Sequence, residues 1–65
     1  KERLELESVE ARIAAAEARQ PEIEAALAAN GADAARVLAL SQELDALTTQ
    51  LEADVERWAE LAERA

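Results

Sequence analysis

Ala29-Asn30-Gly31-Ala32-Asp33 is the stretch that decides how this chain of 65 residues folds. Asn30-Gly31 is the strongest turn signal in the sequence, and Gly31 is its only glycine. Both residues accept left-handed backbone, which ends a helix. The carboxylate of Asp33 can cap a following helix, although Arg36 stands where a capping box would need Glu or Gln. The stretch therefore predicts a sharp reversal between two helices.

The segment before the turn has a heptad pattern of apolar residues. With Leu6 at position a, the a positions hold Leu6, Ile13, Gln20 and Leu27, and the d positions hold Val9, Ala16, Ile23 and Asn30. Pro21 interrupts this helix, because it lacks an N–H and its ring clashes with the carbonyl four residues earlier. One interpretation is a helix that kinks after Arg19 and continues; the other is a new helix that starts at Pro21. The heptad phase survives across Pro21, which favours the kinked but continuous helix.

The segment after the turn has a cleaner heptad pattern. Its a positions hold Val37, Leu44, Leu51, Trp58 and Ala65, and its d positions hold Leu40, Leu47, Asp54 and Leu61. Asp54 is the one charged residue among them, and we expect the neighbouring Val55 to rotate in and replace it. Trp58 is the only aromatic residue, and we expect it to pack in the core, since a platform for stacking bases would need it exposed.

These patterns predict an all-α fold, a two-helix antiparallel coiled-coil hairpin, and they favour a kink in helix one near Pro21. We expect a single domain over residues 1–65, with a helix at about 2–29, a turn at 30–33 and a helix at about 34–64. The turn sets the register, because a positions face d positions in an antiparallel pair. The expected partners are Leu27 with Leu40, Ile23 with Leu44, Gln20 with Leu47, Ala16 with Leu51, Val9 with Trp58, and Leu6 with Leu61.

The arginines are distributed unevenly around the predicted hairpin. The g positions of both helices share one side, which we call the arginine edge, and they hold Glu5, Arg12, Arg19, Arg36, Glu43, Gln50, Arg57 and Arg64. The e positions share the other side, which we call the glutamate edge, and they include Glu10, Glu17, Glu24, Ser41, Thr48, Val55 and Ala62. Five of the six arginines therefore lie on one edge.

Two interpretations of the arginine edge remain open. In the first, its charges pair across the helices, with Glu5 bonded to Arg57 or Arg64 and Arg19 bonded to Glu43, while Glu60 competes for Arg64. In the second, the arginines form a basic stripe along a phosphate backbone. Arg12, Arg19, Arg57 and Arg64 are then the candidate nucleic-acid contacts. The net charge of −8 disfavours nucleic-acid binding by the chain as a whole.

Composition excludes several other functions. With no His and no Cys, the chain offers no conventional zinc site and no histidine base or cysteine nucleophile. We expect no catalytic, cofactor-binding or metal-binding residue, no small-molecule substrate and no enzyme activity in this chain. No apolar run approaches the roughly 18 to 20 residues that span a bilayer, and the charged opening Lys1-Glu2-Arg3 does not read as a signal peptide. The expected location is cytoplasmic, without a membrane partner.

Three stretches resemble a known module: Glu5-Leu6-Glu7 followed by Ala11-Arg12-Ile13, the run Ala25–Ala28, and the ending Leu51-Glu52-Ala53-Asp54-Val55-Glu56-Arg57-Trp58-Ala59-Glu60-Leu61. Together they resemble the C-terminal coiled-coil domain of Uup-type ABC-F proteins. The Glu-Arg-Trp-x-Glu-Leu ending is the most specific part. Ala16, where family members usually have leucine, and Pro21, where they have another residue, depart from the pattern.

The resemblance implies a C-terminal piece of a larger cytoplasmic ATPase, whose ATP-binding motifs lie outside this chain. It implies an accessory domain that binds DNA, with ribosomal RNA as another partner because the wider family acts on ribosomes. A structural hairpin that dimerises or docks within its own protein through the apolar positions is the alternative, since a two-helix domain buries little on its own. A third reading is a helical arm like those of some RNA-handling enzymes.

Overall fold

The computed structural model describes residues 2–64, and these form two helices. Helix α1 spans Glu2–Ala29 and helix α2 spans Ala34–Arg64. The helices pack along their whole length into a rod of 48 × 15 × 15 Å. Arg64, at the end of α2, hydrogen-bonds Glu2, at the start of α1, over 2.8 Å. The predicted all-α antiparallel hairpin is therefore confirmed, while the a position assigned to Ala65 lies outside the described residues.

Helix α1 runs through Pro21 without a break. The alternative of a second helix starting at Pro21 is therefore wrong, and the kink after Arg19 stays a prediction. Pro21 is exposed, whereas Ile23, two residues later, is fully buried. Burial of residues on both sides of Pro21 against α2 holds the helix together where its own hydrogen bonding is interrupted.

The turn closes without left-handed backbone. No residue of the described range 2–64 has a positive φ, so the expectation for Asn30 and Gly31 is wrong. Asn30 acts through its side chain, since its Nδ2 donates a hydrogen bond to the Ala26 carbonyl at 2.7 Å. The N–H of Asp33 then donates to the Asn30 carbonyl at 2.9 Å. The Ala26 carbonyl also accepts a hydrogen bond from the backbone N–H of Asn30 at 3.0 Å, so the side-chain amide adds a second donor at the end of α1.

Asp33 caps α2 as predicted. Its Oδ1 accepts a hydrogen bond from the N–H of Arg36 at 3.1 Å, and its carbonyl accepts one from the N–H of Val37 at 2.9 Å. This is the usual N-cap geometry, in which the side chain satisfies a free donor of the first turn. The cap fixes where α2 begins and therefore the register between the helices.

The core is shifted towards the arginine edge. Every buried residue in the range 2–64 occupies a d position, namely Val9, Ala16, Ile23, Leu40, Asp54 and Leu61. The a positions from Leu6 to Leu51 are only half-buried. On a helix surface d lies next to g and a lies next to e, so the most deeply buried positions are those that border the arginine edge. A groove lined by Arg12, Arg19 and Leu47 nevertheless stays open on that edge. Leu6 and Leu61 line one common cavity, which agrees with the predicted register.

Two predictions about the end of α2 are wrong. Asp54 stays in the helix interface with only 4% of its surface exposed, while Val55, predicted to replace it, is 45% exposed. Trp58 is 39% exposed and lies at the rim of the core. Its indole Nε1 donates a hydrogen bond to Glu10 Oε2 at 3.0 Å. A tryptophan ring that is partly buried usually finds an acceptor for its N–H. Here the acceptor is Glu10, on the glutamate edge.

Candidate nucleic-acid interface: the arginine edge

Arg19 and Arg57 each form a bidentate ion pair with a glutamate of the opposite helix. Arg19 donates to Glu43 from Nε at 2.8 Å and from Nη2 at 3.1 Å. Arg57 donates to Glu5 from Nε and from Nη2, both at 2.8 Å. Two parallel bonds between a guanidinium and a carboxylate fix the orientation of both groups. Both predicted cross-helix pairs are therefore confirmed.

The same two arginines also hold a carboxylate on their own helix. Arg19 Nη1 donates to Glu22 at 3.3 Å, and Arg57 Nη1 donates to Glu60 at 3.2 Å. Glu60 was expected to bind Arg64, which instead donates to Glu2 at 2.8 Å. Glu60 and Arg57 are three residues apart, a spacing that also brings side chains together on a helix.

Arg12 has a different environment, because its partner is the buried Asp54. Arg12 Nη2 donates to Asp54 Oδ1 at 3.1 Å, and Nε donates to the same carboxylate at 3.3 Å. Gln50 Nε2 adds a further hydrogen bond to Asp54 at 3.2 Å. The remaining nitrogen, Nη1, donates to Ser8 at 3.2 Å. Arg12 therefore spans from the arginine edge into the core and neutralises its one buried charge.

The ion pairs perturb the titration of their members in the expected directions. A hydrogen bond from Arg57 lowers the pKa of Glu5, and one from Arg19 lowers the pKa of Glu43. The hydrogen bond from Arg12, helped by Gln50, lowers the pKa of Asp54 against the opposing effect of desolvation. The pKa values of Arg19 and Arg57 are raised, chiefly by their bonds to Glu43 and Glu5. All these groups remain charged at neutral pH.

The structure brings more carboxylates to this edge than the g positions alone provide. The four candidate arginines are bonded to six carboxylates: Glu2, Glu5, Glu22, Glu43, Asp54 and Glu60. The heptad pattern had identified only Glu5 and Glu43 on this edge. The other four lie at c and d positions, and an arginine side chain is long enough to reach them. The expected excess of arginine over glutamate is thus absent among these groups.

The arginine side chains nevertheless stay accessible. Between 37% and 56% of each candidate arginine side chain is exposed. The carboxylates that pair with Arg19, Arg57 and Arg64 are exposed to a similar degree, whereas that of Asp54 is buried. Solvent-exposed ion pairs exchange partners at little energetic cost. Arg19, Arg57 and Arg64 are therefore the exchangeable members, and Arg12 is fixed by the core.

Other kinds of site receive no support from residues 2–64. No group of three or more acidic side chains there is arranged to hold a metal ion. Neither α1 nor α2 is long and apolar enough to cross a membrane.

The fold and this edge define a two-helix antiparallel coiled-coil domain held by cross-helix ion pairs. The sequence model of the family described as ABC transporter C-terminal domain matches residues 1–63, and the chain belongs to that family. The resemblance drawn from the sequence is confirmed at this level. A search of curated proteins found no significant match, and a search of solved structures found none either.

Proposed function

We propose that this chain is an accessory nucleic-acid-binding hairpin of a Uup-like ABC-F ATPase, and that DNA is its ligand. The observation that carries the proposal is the arrangement of Arg12, Arg19, Arg57 and Arg64 along one edge of a rod-like domain of the ABC C-terminal family. ATP binding and hydrolysis would belong to the parent protein. The role of this chain would be recognition in the cytoplasm.

Binding in this proposal proceeds by exchange of partners. A phosphate displaces a glutamate from an arginine, and the released carboxylate turns back to water. This exchange is feasible at Arg19, Arg57 and Arg64, whose glutamate partners are exposed. Arg12 contributes through the field of its charge while it stays bonded to Asp54. Three phosphate contacts give a slope of about −3 when log affinity is plotted against log salt concentration.

The test uses two double variants that remove the same amount of negative charge from opposite edges. Glu5→Gln with Glu43→Gln releases Arg57 and Arg19, whereas Glu17→Gln with Glu24→Gln changes the glutamate edge. Fluorescence anisotropy with a labelled duplex DNA at low salt measures the affinity. We expect the first variant to bind more tightly than both the parent chain and the second variant. We expect Arg19→Gln with Arg57→Gln to weaken binding.

Two results would refute the proposed interface. Equal gains for the two glutamine variants would show that net charge alone matters. Unchanged affinity after replacement of Arg19 and Arg57 would show that phosphates do not contact this edge. The same titration with a structured RNA hairpin compares the two nucleic acids, since tighter binding of RNA would assign the ligand to ribosomal RNA.

A structural hairpin is the second candidate, and the ion pairs favour it. All four candidate arginines already have carboxylate partners inside the hairpin, so the edge is satisfied without a ligand. In this role the ion pairs of the arginine edge hold the two helices together, and the hairpin docks within its own protein or dimerises. Sedimentation over a range of concentrations separates the cases. A dimer that dissociates on dilution would support dimerisation, whereas a monomer that binds DNA would support the first proposal.

A further inference from the structure

An apolar groove lies on the side of the rod opposite the arginine edge. The groove is shallow, its apolar lining consists of Ile13, Ala14, Val55 and Trp58, and its volume is about 350 Å³. Val55 and Trp58 are two of the large apolar side chains that the described chain leaves exposed. Because they lie within one turn of each other on α2, they form a continuous apolar surface.

The groove results from the way the helices are rotated. The d positions are the buried ones, and the a positions, which border the glutamate edge, are half-covered. The hydrogen bond from Trp58 Nε1 to Glu10 holds the indole at the rim. Its polar edge is thereby satisfied, while part of the ring stays open to solvent. The apolar surface of the groove has no cover within residues 2–64.

The carboxylates around the groove indicate which kind of molecule would bind there. Glu10 and Glu17 flank the apolar surface, and no basic residue lines it. An apolar groove between carboxylates fits an amphipathic helix whose apolar row is bordered by lysine or arginine. A duplex nucleic acid would meet carboxylates here and be repelled. A second copy of this chain would bring the same glutamates face to face, because a twofold interface pairs each patch with itself.

We propose that this groove docks a basic amphipathic helix of a partner protein. The apolar residues of that helix lie against Val55 and Trp58, and its lysines or arginines face Glu10 and Glu17. This surface is independent of the arginine edge, so the hairpin can bind a protein on one side and nucleic acid on the other.

Trp58 is the only tryptophan and therefore reports on the groove directly. The experiment titrates the 65-residue chain with a synthetic helical peptide of leucine and lysine, the leucines lying on one face. We expect a blue shift of Trp58 emission that saturates with peptide. Glu10→Gln with Glu17→Gln should weaken this binding about tenfold, and Val55→Asp should abolish the shift. Circular dichroism checks that each variant remains helical.

The matched control is Glu56→Gln with Glu63→Gln, which removes the same charge from exposed f positions of α2. Equal weakening by this control would overturn the proposal, because attraction would then be general. So would equal binding of a peptide in which glutamate replaces every lysine. A shift caused by duplex DNA, or one that grows with protein concentration without peptide, would assign the groove to nucleic acid or to a second copy and would also overturn it.

Discussion

Asp54 shows how one polar residue can specify the pairing of two helices. A carboxylate in an apolar interface is tolerated only with partners, and here Arg12 and Gln50 provide them. A shift of one heptad in one direction would set Asp54 against Glu5, and a shift in the other direction would set it against Arg19. The observed pair with Arg12 therefore disfavours the first of these alternatives. A leucine at position 54 would pack equally well in several registers of the two helices. Asp54 therefore contributes to the specificity of pairing, although it adds little net stability.

Replacement of Asp54 tests this view. We expect Asp54→Ala to lower the melting temperature by several degrees, because Arg12 loses its partner and the interface loses volume. Asp54→Leu should regain most of that loss, since leucine fits a d position and the half-exposed Arg12 can turn to water. Thermal melts followed by circular dichroism measure both. If the leucine variant melted as low as the alanine variant, the requirement would be for the charge itself.

A glycine at position 31 predicts left-handed backbone, but the turn in the structure does not use it. The φ of Gly31 is not positive, and a Cβ built on it would meet nothing within 4 Å. We therefore expect Gly31→Ala to leave the hairpin unchanged or to stabilise it by about 0.4–1 kcal/mol, because alanine reduces the entropy of the unfolded chain. Chemical denaturation measures this difference.

Asn30→Ala is the matched change at the neighbouring position. It removes the hydrogen bond from Nδ2 to the Ala26 carbonyl and should cost about 1 kcal/mol. A loss of stability in Gly31→Ala larger than that in Asn30→Ala would show that the turn does need glycine.

At the scale of the helices, the heptad pattern predicted both elements and most of their contacts. The buried residues Val9, Ile23, Leu40 and Leu61 all occupy positions that the pattern assigns to the interface. Periodicity could not predict how far the helices rotate about their own axes. The pattern therefore placed Trp58 in the core, whereas the structure leaves it at the rim.

Pro21 gives a prediction at this scale. It is exposed in the middle of a continuous helix, so its replacement removes no packing. We expect Pro21→Ala to stabilise the hairpin by up to about 3 kcal/mol, because alanine restores an N–H donor to the carbonyl of Glu17 and removes the ring clash. Denaturant melts compare the two proteins, with Glu24→Ala as a neighbouring control at an exposed position. A loss of stability would show that α1 needs the distortion that proline imposes.

At the scale of the whole molecule, the heptad pattern predicted which side carries the arginines. It did not predict how many carboxylates lie beside them. The pairs Arg19–Glu43 and Arg57–Glu5 follow from the register set by the turn. The bond from Arg12 to Asp54 was missed, because a d position was assumed to be apolar and Val55 was expected to replace it. The spacing of Gln50 and Asp54, four residues apart on one helix face, is the signal that could have indicated a polar cluster there.

The ion pairs along the arginine edge make the stability of the hairpin depend on pH. The pKa values of Glu5 and Glu43 lie below their ordinary value of 4.5 because Arg57 and Arg19 bond the ionised forms. The unfolded chain therefore binds protons before the folded one does. The stabilisation is present above about pH 4.5 and is lost as the pH falls through the lowered values.

Two variants of equal net charge isolate this effect. Glu5→Gln with Glu43→Gln should melt at a lower temperature than Glu17→Gln with Glu24→Gln at pH 7, because only the first variant loses ion pairs. The difference should shrink as the pH falls through the lowered pKa values of Glu5 and Glu43, because the second variant then loses the same ion pairs. Melting curves at a series of pH values measure it. A difference that stayed constant from pH 7 to pH 3 would mean that the glutamates contribute through packing.

The elongated shape of the hairpin has a mechanical consequence. Its radius of gyration is 14.8 Å, whereas a compact domain of this length would have about 11 Å. Glu2 and Arg64 meet at one end, and the turn around Gly31 lies at the other. If the first end is anchored, the molecule is a lever, and a small tilt at the anchor sweeps the turn through a wide arc. The packing of α1 against α2 resists bending, so such a tilt would be transmitted to the tip.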